Sequence, residues 1–264
     1  MRKICAANWK LNFSPDEARR YFVEWSELVG TIQQAGQTPE QTAPLNCDVV
    51  FFTPAYDLPV AVEFAVKNGF QIGPQNIYFV NSGAFTGEIS PQAVRALGAE
   101  VALIGHSERR TLFGETDEAA IAKKVKASML ADLMPILCVG ESLAERESNQ
   151  TKDIVGRQLR GGLELIIGDF AQSRRFAIAY EPVWAIGTGK VATPAQASEM
   201  HAEIRTELET LLGKKRAHEI PILYGGSVKP ENARELASQA NIDGFLVGGA
   251  SLKPKDFLAI AATL

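Results

Sequence analysis

The chain has 264 residues and a mass of 28.6 kDa, with 46% hydrophobic and 22% charged residues, a make-up that implies a globular protein with a sizeable core. A formal net charge of −4 and a pI near 5.6 argue against nucleic acid as the main partner. They leave room for a phosphate-bearing small molecule held by local donors. Three cysteines, Cys5, Cys47 and Cys138, lack metal-type spacing and read as reduced, buried thiols. The first apolar run is too brief for a signal peptide, and no run approaches membrane-spanning length. The expectation is a cytoplasmic chain.

Apolar strand-like runs alternate with helical patterns along the whole sequence. Lys3–Ala7 is the first run, and Ser14-Pro15 opens a helix after it, a cap followed by a first-turn proline. Asp48–Phe52 precedes a helix over Leu58–Asn68. Phe70–Gly73 precedes a long loop and a short helix at Pro91–Leu97. Val101–Gly105 is followed by a helix over Asp117–Leu130, and Met134–Val139 by one over Thr151–Ile167. Phe176–Tyr180 leads to a helix over Pro194–Leu212, Ile220–Tyr224 to one over Pro230–Ala240, and Gly244–Val247 to one over Pro254–Ala262.

These strands are continuous apolar runs, so both of their faces should be buried, as in a parallel sheet. Eight β–α units at this length point to an α/β chain closed into a (β/α)₈ barrel, with a doubly wound open sheet as the alternative. No linker divides the chain, so 1–264 reads as one domain. Residues Gly30–Asn46 are long, polar and rich in Gln and Pro. They connect a helix back to a strand and are expected to form a surface insertion away from the chemistry.

In such barrels active groups gather where strands end and loops begin. The first strand ends in Asn8-Trp9-Lys10, where residues two apart in extended backbone share a side and a lysine can face a phosphate or oxyanion. The fourth ends in Gly105-His106-Ser107-Glu108. Of three histidines only His106 terminates a buried strand. A helix starting at Ser107 would place it at a positive dipole end and disfavour its protonated form. A hydrogen-bonded structural histidine is the competing reading. Two strands end in glutamate. Glu141 precedes a turn-like Ser142-Leu-Ala-Glu-Arg and is expected to cap it. Glu181 precedes Pro182 and a glycine-bearing loop suited to close over a general base, and it is the favoured candidate.

The last two strands end in Tyr224-Gly-Gly-Ser227 and Val247-Gly-Gly-Ala-Ser251. Paired glycines let backbone N–H groups approach a ligand, and these loops are a barrel's usual phosphate site. Gly187-Thr-Gly-Lys190 fails as a phosphate loop, with Trp184 and Val191 at positions that need Gly and Ser/Thr. No cysteine or histidine cluster has metal spacing.

Together Asn8-Trp-Lys10, Ile104-Gly-His-Ser-Glu-Arg-Arg110, Ala179-Tyr-Glu-Pro-Val-Trp-Ala-Ile-Gly-Thr-Gly-Lys190, Tyr224-Gly-Gly-Ser227 and Leu246-Val-Gly-Gly249 resemble the triosephosphate isomerase family, in its order and over essentially the whole chain. The resemblance implies a single TIM barrel that interconverts dihydroxyacetone phosphate and glyceraldehyde 3-phosphate through an enediolate, in glycolysis and gluconeogenesis. It implies Glu181 as base and His106 as neutral electrophile, a pairing for which this family is itself the reference case. Lys10 and Asn8 would stabilise negative charge and touch substrate, Glu108 would position Lys10, and Gly187, Ser227, Gly248 and Gly249 would grip the phosphate. No metal and no cofactor is implied. The loop Ile77–Glu88 would dock into a partner subunit through Thr86, making a homodimer. The rivals are an isomerase of a larger sugar phosphate and a catalytically silent phosphate-binding barrel.

Overall fold

The computed structural model describes residues 2–35, 45–168, 175–185 and 192–264. Eight strands, β1 Lys3–Asn8, β2 Cys47–Thr53, β3 Gln71–Pro74, β4 Val101–Ile104, β5 Met134–Val139, β6 Ala177–Tyr180, β7 Ile222–Tyr224 and β8 Gly244–Val247, form one parallel sheet. Its order, β3-β2-β1-β8-β7-β6-β5-β4, brings β3 and β4 together as the seam. There the N–H of Glu100 donates to the carbonyl of Ile72 at 2.8 Å, and a Cβ on Gly73 would lie 2.1 Å from the Val101 carbonyl oxygen. Only glycine allows the two backbones to meet there. The sheet is a barrel, and the open-sheet alternative is excluded.

Alternation along each strand sorts the core into two layers. Ile4, Ala6, Val50, Phe52, Leu103, Ile136, Cys138, Ala179 and Leu223 fill the barrel interior. Their sequence neighbours Cys5, Ala7, Phe51, Leu137 and Ile178 face outward and pack under the helices. Both faces are dry, which accounts for the continuous apolar runs. All three cysteines are free and buried.

Eleven helices are seen among the described residues: α1 Pro15–Ala35, α2 Leu58–Asn68, α3 Pro91–Leu97, α4 Ser107–Leu112, α5 Glu118–Leu130, α6 Leu143–Glu147, α7 Thr151–Leu163, α8 Pro194–Leu212, α9 Lys214–Ala217, α10 Pro230–Ala237 and α11 Pro254–Ala261. Their starts follow from local chemistry. Ser90 accepts from the Ala93 N–H with Pro91 next in line, and Thr193 makes a capping box with Gln196 before Pro194, each bond occupying an otherwise orphaned donor. The expected surface insertion is in part helical, because α1 carries on to Ala35. Residues 36–44 of it lie outside the described residues.

His201 is fully buried on α8. Its Nδ1 meets the Asn241 carbonyl at 2.8 Å, and its ring stands edge-on to Tyr180. Burial, which outweighs the Asn241 bond, pushes its pKa down from 6.5 to about 4. The unfolded chain therefore binds a proton before the folded chain does. The stability due to neutral His201 is intact above pH ~6.5 and drains away toward pH ~4, by about 3 kcal/mol over the window. Urea unfolding of the native chain and His201→Gln at pH 7 and pH 5 should show a smaller acid loss in the variant. Equal losses would contradict this.

Candidate active site

The ends of β1, β4, β6, β7 and β8 meet around one cavity of about 470 Å³, lined among others by Asn8, Lys10, His106, Glu181, Gly225, Gly226, Ser227, Gly248 and Gly249. Glu181 follows β6 directly, its N–H tied to the Val139 carbonyl at 2.8 Å. Its side chain is 2% exposed. One oxygen lies 2.9 Å from His106 Nε2, and the other accepts from the Ser107 N–H at 2.9 Å. Burial opposes its ionisation, but His106, the Ser107 amide and Lys10 together hold its pKa below the ordinary carboxylate value. The approach is close: a Cβ on Gly140 would lie 1.8 Å from the Glu181 carbonyl oxygen.

His106 is the N-cap of α4, its Nδ1 accepting from the Glu108 N–H at 3.2 Å. That bond leaves Nε2 as the protonated nitrogen of the neutral ring, pointed at Glu181. The helix-start reading is correct in geometry, but its electrostatic consequence is outweighed in this state. Burial pushes the imidazole pKa down, yet the Glu181 and Glu108 carboxylates bring it above its usual value. The ring is hydrogen-bonded, as the structural reading expects, and it also faces the cavity.

Asn8 and Lys10 share the cavity, for a different reason from the one expected. The strand ends at Asn8, and Lys10 turns into the left-handed region with φ 51°. Its N–H donates to Asn8 Oδ1 at 3.0 Å, its carbonyl accepts from Gln75 Nε2 at 2.8 Å, and its Nζ meets Glu108 Oε1 at 2.7 Å. A non-glycine residue in that region costs on the order of 1–3 kcal/mol and persists where surroundings over-determine it, most often at functional sites.

Glu141 corrects the sequence reading. Ser142 is the cap of α6, in a capping box with Glu145. Glu141 is fully buried and accepts from Tyr180 Oη, Trp184 Nε1 and Arg146. It anchors the segment that leaves Glu181, and Arg146 also covers the Trp184 ring. The polar edges of Tyr180 and Trp184 on either side of Glu181 were the available signal for a buried acceptor. Gly187 and most of the expected lid lie outside the described residues. Thr86 is exposed on its loop, outside this cavity. Among the described residues no group of three or more His, Cys, Asp or Glu side chains is placed to hold a metal.

The family model described as triosephosphate isomerase matches residues 3–264. The chain is 46% identical over 260 residues to a triosephosphate isomerase of Magnetococcus marinus, covering 98% of this chain and 97% of the relative. It is 47% identical over 262 residues to one of Bdellovibrio bacteriovorus, covering 99% and 100%. A crystal structure of triosephosphate isomerase from Bartonella henselae is similar with a TM-score of 0.83 at 36% identity, over 100% of this chain and 99% of that one.

Glu141→Gln replaces a buried carboxylate that serves three donors with an amide that can serve fewer. The loss should be about 2–4 kcal/mol, read as a lower urea midpoint. An unchanged midpoint would remove Glu141 as the anchor.

Proposed function

The chain belongs to the triosephosphate isomerase family, an enzyme that interconverts dihydroxyacetone phosphate and glyceraldehyde 3-phosphate in glycolysis and gluconeogenesis, and we propose that Glu181 is the base that moves the proton. The observation that carries this reading is the dry Glu181 carboxylate, ionised and aimed at the same cavity as His106 and Lys10. In our reading substrate displaces Glu181 from His106 Nε2 and Ser107. The carboxylate takes the proton from the carbon beside the carbonyl, while His106 gives its Nε2 proton to the carbonyl oxygen as that oxygen becomes negative and recovers one from the neighbouring hydroxyl, so that the carbonyl passes to the other carbon. Glu181 then returns the proton to the neighbouring carbon. With the carboxylate's contact at Nε2 gone, the largest influence raising the imidazole pKa is weakened, which favours the neutral ring.

Lys10, held by Glu108, and Asn8 supply further stabilisation of the enediolate. A positioned base contributes about 10²–10⁴-fold, and each preorganised donor at a developing oxyanion about 10²–10³-fold. Ser227, Gly248 and Gly249, with Gly187, grip the phosphate through backbone N–H groups. Proton transfer between adjacent carbons consumes no oxidant and needs no cofactor. The closing loop keeps water from the enediolate.

Residues 1–264 act as one domain. The protein works as a homodimer, with Thr86 of one copy seated in its neighbour. The exposed Leu11, Tyr56, Phe85, Leu112 and Phe113 support that reading. So does a cavity of about 340 Å³ that adjoins the first at Asn8, Lys10 and His106 and runs out to Leu11, Glu88 and Phe113. A cytoplasmic home fits the buried free thiols, and among the described residues no helix is long and apolar enough to cross a membrane.

A coupled assay with glyceraldehyde 3-phosphate should show rapid, chelator-insensitive turnover in the native chain. Glu181→Gln should lose about 10²–10⁴-fold in kcat while still binding a phosphate-bearing inhibitor. Native-like turnover in that variant would exclude Glu181 as base. Thr86→Arg should shift the chain to monomer in sedimentation, and an intact dimer would argue against the docking.

A further inference from the structure

The active-site cavity runs outward past the phosphate loops to Lys229 and Lys253. The two loops are alike: Tyr224-Gly-Gly-Ser-Val-Lys229-Pro230 leads into α10 and Val247-Gly-Gly-Ala-Ser-Leu-Lys253-Pro254 into α11. In each, a lysine occupies the N-cap position, makes no side-chain cap bond and is followed by proline. This is a poor residue for the place. Lysine has no acceptor for the orphaned N–H groups, and its charge opposes the positive end of the helix. Elsewhere on the barrel Ser90, Asp117, Ser142 and Thr193 cap by accepting from the backbone. The helices that follow Asp57, Gln150 and Gly213 also lack a side-chain cap bond, but among the described residues only Lys229 and Lys253 set a positive charge at the cap, both at the same cavity, which marks function over stability.

Both lysines are exposed, and among the described residues neither ammonium has an ion-pair or hydrogen-bond partner. Lys10, the other lysine of this cavity, is committed to Glu108. The acids nearby, Glu231 and Asp256, lie in the first turns of α10 and α11, where the helix dipole offsets their charge. The loops do not need the lysine side chains. Asn232 ties the first together, accepting from the Lys229 N–H at 2.8 Å and donating to the Ser227 carbonyl at 3.1 Å. Ser251 ties the second, its Oγ and its N–H both bonding the Gly248 carbonyl.

We infer that Lys229 and Lys253 are a capture station at the mouth, which draws the substrate phosphate toward the glycine loops against the chain's net charge of −4. They favour encounter with a phosphorylated over an unphosphorylated triose, leave the grip on the phosphate to the glycine loops and take no part in the proton transfer. The inference rests on the isomerase reading above. Exposed charges of this kind raise encounter rates and are screened by salt.

The test is Lys229→Ser, Lys253→Ser and the double variant, with Lys→Arg at both positions as the charge-keeping control. At low ionic strength the double serine variant should lose about three- to tenfold in kcat/KM for glyceraldehyde 3-phosphate. The loss should close at high salt, with kcat kept and the arginine variant near native. Turnover of glyceraldehyde, which lacks the phosphate, should not change, and the melting temperature should hold or rise because serine caps better than lysine. An unaltered kcat/KM at low salt, a loss that persists at high salt, or an equal loss with glyceraldehyde would overturn the station. A native chain without activity on any triose phosphate would instead overturn the isomerase reading.

Discussion

The site depends on one costly arrangement, an ionised carboxylate kept out of water at the end of a strand. An isolated buried charge would neutralise itself by taking a proton. Glu181 stays ionised because the end of β4 supplies both His106 Nε2 and the Ser107 N–H, while Lys10 adds positive charge from the end of β1. Those groups meet only if the strand ends converge, and convergence is a property of the closed barrel. Gly73 at the seam and Gly140 beside Glu181 are the points where a methyl group would force the ends apart. The fold is thus the means by which a carboxylate is stored ionised and dry.

A second layer stabilises the first. Glu141 draws in Tyr180, Trp184 and Arg146 from three different segments, and His201 packs against Tyr180 from α8. Lys10 is bound at its N–H, its carbonyl and its ammonium, so its left-handed backbone has no easy relaxation. Buried polar groups of this kind are stable only when their partners are all present. That is why residues outside the cavity bear on the geometry of the site. The outer rim is built differently, with Lys229 and Lys253 exposed and free to meet a ligand in water.

Much of the fold was legible because local and global signals agreed. The helices Leu58–Asn68, Pro91–Leu97 and Pro194–Leu212 and the strands Met134–Val139 and Gly244–Val247 lie where the sequence places them, each bounded by a cap, a proline or a glycine. The expected seventh strand starts late, at Ile222, since Pro221 carries no N–H for the ladder. The expected helix from Thr151 ends at Leu163, just past Gly161-Gly162, two weak helix formers. The short α4, α6 and α9 have too few residues to show a period. In the site, Glu181, His106 and Lys10 were visible as polar residues ending apolar runs. Glu141 was misread because its neighbours Ser142 and Glu145 carry an ordinary capping signature, and nothing in a linear pattern reports that Tyr180 and Trp184 fold back onto it.

Burial of Glu181 is outweighed by its partners, so that the carboxylate waits in its ionised form. Carbon-13 NMR of the Glu181 carboxylate, assigned with a Glu181→Gln control and followed through an acid titration of the native protein, tests it most directly. The account predicts that Glu181 titrates below an ordinary glutamate and remains ionised through neutral pH. A Glu181 signal that titrates above the ordinary value would mean that desolvation wins and that His106, Ser107 and Lys10 do not hold the charge.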